Sequence, residues 1–298
     1  MITTSKRIEE IKLEMDKSLI DYYEKAGPDY EHWSKQFNMH FGYWTFPQNP
    51  FNLEALLNNM NELVLENLQL DVSINPKVLD AGCGLGATTR YIASKVDTAK
   101  VTGITIVPWQ VNKARLLNSK ADLENVEVMH GHYEHTRFEN GIFDAAFAIE
   151  SSCYALGKDK GAFLTEMHRV LKPGARLVVC DGFIKKPLPA KSCVNMVYNK
   201  LCKGWVLDHL AQFYLFIAKL KALGFKDIQV KDLSWNVAPT VAHVPFKTFT
   251  FLIKQLFKNG FKEMNRERWN NLMSPLLTMV LGLHRKYFSY YMISAVKG

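Results

Sequence analysis

The chain has 298 residues, of which 48% are apolar and 22% are charged, and its formal net charge is +8. This balance excludes a mainly disordered or fibrous chain, and the length suits one large domain or one domain with a lid. The positive charge favours anionic ligands, acidic membrane surfaces or nucleic acid without choosing among them. The five cysteines form no Cys-x-x-Cys pair, which argues against a disulfide scaffold and against a cysteine-rich zinc site.

The N-terminal third is predicted to be helical and rich in aromatic residues. Ile8, Ile11, Met15 and Leu19 recur at three- and four-residue steps, which predicts an amphipathic helix. An aromatic stretch covers residues 22–44, and leucines between positions 53 and 68 predict a second helix that ends before Asn-Pro at 75–76. Residues 1–17 are too charged for a signal peptide.

From residue 77 onwards, strand and helix patterns alternate. Strands are predicted at 77–81, 100–104, 126–129, 143–149, 176–181, 225–232 and 288–296. Helices are predicted at 86–95, 108–120, 158–171 and 209–223. This alternation predicts a doubly wound α/β fold with a mostly parallel, seven-stranded sheet that is covered on both faces.

Two stretches, residues 183–207 and 234–286, interrupt the alternation, and the second contains predicted helices at 246–257 and 268–281. We interpret residues 1–72 as an N-terminal helical cap over the active site, and these two stretches as lid insertions in a domain of residues 73–298. The predicted helix at 246–257 contains both phenylalanines and lysines. It could pack over the core with a solvated face, or it could rest on a bilayer interface. A surface that binds nucleic acid is the third alternative and fits least well. No apolar run approaches the roughly 18–20 residues of a membrane-spanning helix. We therefore expect a cytoplasmic protein, with peripheral membrane contact and homo-oligomerisation left open.

The strongest local motif is Asp-Ala-Gly-Cys-Gly-Leu-Gly at residues 80–86, between a predicted strand and a predicted helix. Glycines there permit a tight turn and close approach of the backbone to a ligand. The glycine spacing alone also fits a dinucleotide site, but such a site needs an acid about 20 residues further on, and the second strand ends in Gly-Ile-Thr-Ile at 103–106. Asp80 could cap the turn, or it could bind a ligand that carries an ammonium group.

This motif resembles the signature of the class I S-adenosylmethionine-dependent methyltransferases. Arg-Val-Leu-Lys-Pro-Gly-Ala-Arg-Leu-Val-Val at 169–179 is similar to the same family's late helix, turn and strand. The resemblance covers roughly residues 74–232 and the final strand. It implies a Rossmann-like fold, S-adenosylmethionine as methyl donor and S-adenosylhomocysteine as product. It further implies cofactor contacts from Asp80, Gly82, Gly84 and Gly86.

Finer features resemble the tocopherol, sterol and prenyl-diphosphate C-methyltransferases. Residues 103–110 are similar to that branch's G-I-T-x-S-P-x-Q segment, which implies that Thr105 and Gln110 replace the missing ribose acid. Residues 37–44 are similar to its H-x-G-Y/F-W element, and residues 143–155 to its F-D-x-x-x-x-I-E-x-x-x-H segment. The sequence departs from the branch at three positions: Val107 where Ser is usual, His132 where an Asp usually receives the adenine amino group, and Tyr154 where His is common.

Glu150 and His40 are the predicted catalytic residues. Glu150 ends the fourth predicted strand, where an open parallel sheet faces its ligand crevice, and desolvation there would make it a general base. The alternatives are a solvated strand-end carboxylate or a helix cap for Glu150, and a hydrogen-bonded lid residue for His40. His132, Tyr133 and Tyr22 complete the predicted cofactor contacts. His130, His132 and His135 lie close in sequence, but we expect no metal.

The sequence therefore predicts a methyltransferase that acts on a hydrophobic small molecule. Whether this acceptor carries an anionic group is left open. We expect no binding of nucleic acid. The branch resemblance favours C-methylation of an isoprenoid-like acceptor. Two alternatives stay open: an O- or N-methyltransferase of natural-product type, and a module that binds S-adenosylmethionine without catalysis.

Overall fold

The computed structural model describes the backbone of residues 2–298 and the side chains of residues 10–258 and 260–298. The side chain of Ile8, part of the predicted apolar stripe, lies outside the described residues. The helices α1 to α11 are Ile2–Ala26, Tyr30–Trp33, Leu53–Leu68, Ala87–Lys95, Pro108–Lys120, Gly161–Val170, Cys193–Gly204, Phe213–Ala222, Ser234–Ala242, Val244–Asn259 and Arg266–Leu283. The strands β1 to β8 are Lys77–Ala81, Lys100–Thr105, Val126–His130, Phe143–Ile149, Leu171–Ile184, Ala211–Gln212, Phe225–Asp232 and Phe288–Lys297.

The strands form one sheet in the order β3-β2-β1-β4-β5-β8-β7, and β6 pairs with β5 beside this path. All pairings are parallel except those of β8, which runs antiparallel to β5 and to β7. The doubly wound α/β prediction is confirmed. The order reverses between β1 and β4, so the loops that follow these two strands border a crevice at the carboxyl edge of the sheet.

The central strands are buried on both faces, which is why their sequences are apolar without strict alternation. In β1, Val78 and Leu79 are both inaccessible to solvent although they point to opposite faces. Leu79 packs with Phe163 of α6 and its neighbours, whereas Val78 packs with Met60 of α3 and its neighbours. Both layers of helices are therefore fixed to the strand that carries the glycine motif.

The structure differs from the prediction at three places. The predicted helix at 158–171 ends at Val170, and β5 begins at Leu171 and passes through Gly174 (φ 79°). The predicted helix at 209–223 begins only at Phe213, because residues 211–212 pair with the end of β5 and form an eighth strand where seven were predicted. Helices α7 and α9 were not predicted.

The N-terminal elements and the two insertions lie together. Helix α11 packs against α7 and α1, and α10 packs against α9, α11 and α2. The division into a cap and lid insertions stays an interpretation of these contacts. Among residues 2–298, no helix combines the length and the apolarity required to cross a bilayer.

Candidate active site

The glycine turn after β1 is shaped by backbone contacts that exclude larger residues. The amides of Gly82 and Cys83 both donate to the carbonyl of Ile104, at 3.0 and 2.9 Å, which ties the turn to β2. Gly82 has φ 93°, and a Cβ there would lie 2.4 Å from the Cβ of Ser151. Gly84 has φ 52°, and a Cβ there would lie 2.9 Å from the sulfur of Met39. The positive φ angles and these close approaches favour glycine at positions 82 and 84 of the turn, which borders an open cavity.

This first cavity encloses about 870 Å³ including its mouth. It is bordered by the glycine turn, by the ends of β2, β3 and β4, and by α1 and residues 37–40 of the cap. Most of the predicted cofactor contacts line it: Asp80, Gly82, Gly84, Thr105, Gln110, His132 and Tyr133.

Two of the predicted cofactor contacts are placed elsewhere. Tyr22 is buried and its hydroxyl donates to Asn271 Oδ1 at 2.9 Å, so its neighbour Tyr23 lines the cavity instead. Gly86 (φ 72°) precedes the first residue of α4, outside the cavity lining. A motif identifies a stretch of residues near a ligand, but the path of the backbone decides which of their atoms face the cavity. For this reason Tyr22 and Gly86 do not line it.

The carboxyl group of Asp80 lies in this cavity with little access to water. Its Oδ2 accepts a hydrogen bond of 2.6 Å from Thr89 Oγ1. Burial raises the pKa of Asp80 to about 7, against the lowering effect of Thr89. Because an opposite charge favours the ionised form of a buried acid, a cationic group bound beside Asp80 would restore its charge. This is the behaviour expected of a site for an ammonium group.

Thr105 and Gln110 form a polar pair at the end of β2. Thr105 Oγ1 donates to Gln110 Oε1 at 2.6 Å and accepts from the amide of Val107 at 3.3 Å. The Nε2 of Gln110 donates to the sulfur of Met39 at 4.0 Å, a weak contact that a ligand oxygen could replace. Val107 is buried, and it has no hydroxyl group where the related branch usually has serine. At this position Thr105 receives its hydrogen bond from the backbone amide.

The cavity is closed at its outer end by contacts between α1 and the segment after β3. His132 Nδ1 accepts from the amide of Glu134, and its Nε2 lies 3.4 Å from Asp16 Oδ1. Lys12 of α1 forms an ion pair of 2.6 Å with Glu134. Asp16 lines the cavity, and sequence reasoning missed it because a charged residue on an amphipathic helix carries no local signal of a site.

Among the described residues, no group of three His, Cys, Asp or Glu side chains is arranged to hold a metal ion. His132 and His135 stack at 4.6 Å between ring centroids, and His130 Nε2 lies 3.1 Å from the carbonyl of Ile106. The three histidines considered in the sequence are therefore engaged in local contacts.

A second cavity of about 1230 Å³, including its mouth, adjoins the first. Apolar and aromatic residues of the cap, α7, α10 and α11 form most of its walls, among them Trp33, Phe41, Leu201, Trp205, Leu207, Leu210, Phe251, Leu272 and Pro275. Its polar wall includes Arg268, which forms a two-bond ion pair with Asp29 at 2.8 and 2.9 Å, and Lys247. The cavity suits a large apolar ligand with a polar or anionic end.

The two cavities meet at residues that line both of them: Tyr23, Met39, His40, Glu150 and Tyr154. A group in the first cavity and a group in the second can therefore contact each other only here.

Glu150 lies at this junction in a constrained geometry. Its Oε1 accepts from the amide of Phe41 at 2.7 Å and from the hydroxyl of Tyr290 at 2.9 Å. Its backbone has φ 48°, a left-handed conformation that costs energy in a residue with a side chain and is often found at functional sites. Burial raises the pKa of Glu150 to about 8, with a smaller contribution from Asp181, although the hydrogen bonds from Phe41 and Tyr290 oppose this.

His40 also lies at the junction, but both of its ring nitrogens already have partners. Nδ1 lies 2.9 Å from the carbonyl of Phe41, and Nε2 lies 3.0 Å from Asn61 Oδ1. Burial lowers the pKa of His40, against the raising effect of its hydrogen bonds to Phe41 and Asn61. Its catalytic role stays a prediction, and proton transfer would require one of these two contacts to break.

Tyrosine rings surround the junction. The hydroxyls of Tyr23 and Tyr154 lie 2.9 Å apart, and their ring centroids 6.0 Å apart. Tyr154 therefore supplies a hydroxyl and an aromatic face where the related branch usually has a histidine. Burial raises the pKa of both phenols, which keeps them neutral.

Two buried charged residues hold the loop after β4. Asp181 accepts from Ser152 Oγ at 2.6 Å and from the amide of Cys153 at 2.9 Å. Lys160, with no solvent exposure, donates to the carbonyls of Cys153, Ala155 and His209 at 2.9, 2.6 and 2.7 Å. These bonds fix the loop that carries Tyr154.

Comparison with known proteins identifies the family. A family model described as a methyltransferase domain matches residues 78–174. The chain is 35% identical over 167 residues to 24-methylenesterol C-methyltransferase 2 of Arabidopsis thaliana, which is 55% of this chain and 45% of that protein. It is 32% identical over 205 residues to the O-methyltransferase cnsE of Penicillium expansum, which is 68% of this chain and 70% of that protein. The chain spans about half the length of the plant sterol methyltransferases that it matches, 45% and 58%.

Solved structures share the whole fold. A cyclopropane synthase of Mycobacterium tuberculosis superposes with a TM-score of 0.77 at 17% identity, covering 95% of this chain and 98% of that one. Geranyl diphosphate C-methyltransferase from Streptomyces coelicolor, in complex with S-adenosyl-L-homocysteine, gives a TM-score of 0.70 at 14% identity with the same coverage. The glycine turn, the strand order and these relatives agree: the chain belongs to the class I S-adenosylmethionine-dependent methyltransferases.

Proposed function

We propose that the protein transfers a methyl group from S-adenosylmethionine to a carbon atom of a large, apolar, isoprenoid-like acceptor. The observation that carries the proposal is the position of Glu150. Its carboxyl group lies where the first cavity, which contains Asp80 and Gln110, meets a largely apolar second cavity.

The first cavity fits the methyl donor. Asp80 would bind its ammonium group, Gln110 and Thr105 its ribose hydroxyls, and His132 with Tyr133 would border its adenine. The glycine turn permits close approach because a Cβ at Gly82 would collide with Ser151. When bound, S-adenosylmethionine supplies a methyl group that is already activated by its attachment to a positively charged sulfur.

The second cavity would hold the acceptor and exclude water, so that the reacting carbon is kept at about 3–3.5 Å from the methyl group. An olefin would form the new carbon–carbon bond with its π electrons and become a carbocation. The bond between the methyl group and sulfur would break, and its electron pair would stay on the sulfur of the product S-adenosylhomocysteine. The aromatic faces of Tyr23 and Tyr154 would stabilise this cation. Glu150 would then take a proton from a neighbouring carbon, and the electrons of the broken C–H bond would restore the double bond.

The positive charge of a bound donor would affect the pKa of Glu150. In the empty site, a pKa of about 8 leaves Glu150 mostly protonated at pH 7. A cation in the adjoining cavity stabilises the carboxylate and lowers this pKa. Glu150 would therefore become an effective base once the site is loaded.

O-methylation is the second candidate, and the relationship to an O-methyltransferase at 32% identity favours it. Glu150 could equally accept the proton of a hydroxyl group at the junction. Lys247 and Arg268 in the wall of the second cavity could take a polar or anionic end of either kind of acceptor.

The test is transfer of labelled methyl from S-adenosylmethionine to sterols, prenyl diphosphates, quinols and amines in parallel, followed by product analysis by nuclear magnetic resonance. A new carbon-bound methyl group on an isoprenoid is the expected result, whereas a methoxy or N-methyl product would overturn C-methylation. Glu150→Gln should lower kcat by at least about 100-fold without changing the Kd of the donor in calorimetry. Glu124→Gln, at an exposed carboxylate, is the matched control. Full turnover by Glu150→Gln would place the base elsewhere.

A further inference from the structure

Helix α10 has two opposite faces with different surroundings. One face lines the second cavity through Val244, Lys247, Thr248 and Phe251. The opposite face, here called the docking face, is open to solvent and consists of Phe246, Phe249, Ile253, Leu256 and Phe257. Their spacing of three, four, three and one residues keeps these side chains on one side of a helix.

The exposure of this face is large for a folded protein. Phe246 is 66% exposed, Phe249 62% and Phe257 85%. A surface helix normally turns its apolar stripe inward and its polar side outward, and contiguous exposed apolar patches mark interaction surfaces. A face of this kind is the usual signature of an interaction surface.

A neighbouring loop extends the face. The ring of His243, directly before α10, contacts the carbonyl of Pro50 through Nε2 at 2.9 Å. This contact fixes the loop that carries Phe46 and Phe51 to the start of α10, and the two rings are 86% and 84% exposed. Two exposed aromatic rings therefore lie on a loop that is held at the start of α10.

The charges around the docking face are mainly positive. Between positions 244 and 264 there are four lysines and a single carboxylate, that of Glu263, which lies 3.9 Å from the Nζ of Lys258. One of the four, Lys247, belongs to the inner face and lines the second cavity. Lys254, Lys258 and Lys262 are exposed. Lysine stems can lie along an apolar surface while their ammonium groups reach a layer of negative charge. A second copy of this chain would bring the same lysines together, which disfavours self-association through this face.

We propose that the docking face binds to the surface of an anionic lipid bilayer. Helix α10 lies in the interface plane, its phenylalanines enter the boundary between headgroups and acyl chains, and its lysines contact the anionic headgroups. The inner face of the same helix lines the second cavity, so the bilayer lies about one helix diameter, roughly 10 Å, from that cavity. A lipophilic acceptor could then enter from the membrane without crossing water.

The experiment measures sedimentation of the full-length protein with vesicles of phosphatidylcholine alone and with vesicles that contain 30% phosphatidylserine. The wild-type protein should bind the anionic vesicles at least ten times more tightly than the neutral ones. Phe246→Ser with Phe249→Ser should reduce anionic binding at least tenfold. Leu116→Ser with Tyr214→Ser, two residues of similar exposure (50% and 68%) on α5 and α8, is the matched control and should bind like wild type.

The charge contribution is tested separately with Lys254→Glu and Lys258→Glu, which should abolish the preference for anionic vesicles. Circular dichroism of each variant verifies that it is folded. Three results would overturn the proposal: no binding of the wild type to anionic vesicles, unchanged binding of the phenylalanine variant, or a dimer in solution that the phenylalanine variant disrupts. The sedimentation experiment contains neither a methyl donor nor an acceptor, so its results do not depend on whether the proposed reaction is correct.

Discussion

Replacing Glu150 with glutamine should make the protein more stable while it removes turnover. In the folded protein without ligands, burial raises the pKa of Glu150 to about 8 from an ordinary value of 4.5. In the unfolded chain the carboxyl group ionises freely. Folding therefore requires either a proton or a buried charge at every pH above about 4.5. Glutamine has neither requirement, and its Oε1 can still accept from the amide of Phe41 and the hydroxyl of Tyr290.

The magnitude follows from the difference between the two pKa values. A raised acid pKa leaves stability unaffected below about pH 4.5, lowers it progressively as pH increases, and has its full effect above about pH 8. With the values above, the cost to the wild type is below about 1 kcal/mol at pH 5, about 2 kcal/mol at pH 6 and about 4 kcal/mol at pH 8. Water in the cavity reduces these costs, so we expect Glu150→Gln to gain about 1–4 kcal/mol at pH 8.

Urea denaturation of both proteins at pH 5, 6.5 and 8 measures this difference directly. The gain in the free energy of unfolding should increase with pH across the series, with unchanged m-values. A gain that is independent of pH would mean that Glu150 ionises as easily in the folded state as in the unfolded chain. A loss of stability at pH 8 would also refute the reasoning.

Further predictions concern the base, the donor site and the scaffold. Because the base must be ionised, kcat/KM should increase with pH and level off near pH 8. If a bound cation lowers the pKa of Glu150, kcat should level off at a lower pH than kcat/KM. Two pH profiles that superimpose would contradict this prediction. Asp80→Asn should weaken donor binding at least tenfold in calorimetry, and an unchanged Kd would exclude the proposed ammonium contact. Gly42→Ala would place a Cβ 2.4 Å from the backbone carbon of Leu56, so its urea midpoint should fall, and an unchanged midpoint would show that the contact relaxes freely. Lys160→Met should cost about 3 kcal/mol or more, because three buried carbonyls lose their donor; a loss below about 1 kcal/mol would show that water replaces the ammonium group.

The fold followed largely from local patterns in the sequence. Buried parallel strands have continuous apolar runs, and the helices between them are marked by apolar periodicity and by Pro108 at the first turn of α5. The predictions were less accurate where long-range pairing overrides local preference. Ala211 and Gln212 form a strand because they pair with the end of β5. The pattern of residues 209–223 does not predict this pairing.

The site was predicted to the extent that its residues belong to motifs at strand ends. Asp80, Gly82, Gly84 and Gln110 line one cavity because parallel strands deliver their carboxyl ends to the same edge of a sheet. Residues from the cap and the lid insertions were mostly missed, since a helix far away in sequence can present any of its sides to the crevice.

The amino-acid sequence by itself therefore determined the family, the α/β sheet and the turn that faces the donor, because each depends on residues within one strand–turn–helix unit or on their periodicity. Only the tertiary structure decided how the carboxyl group of Glu150 is held, since Phe41 and Tyr290 approach it from opposite ends of the chain. It also decided that Asp16 and Tyr23 border the first cavity and that α10 presents phenylalanines to solvent. Burial is a property of everything that surrounds a residue, and a sequence motif describes only its neighbours along the chain.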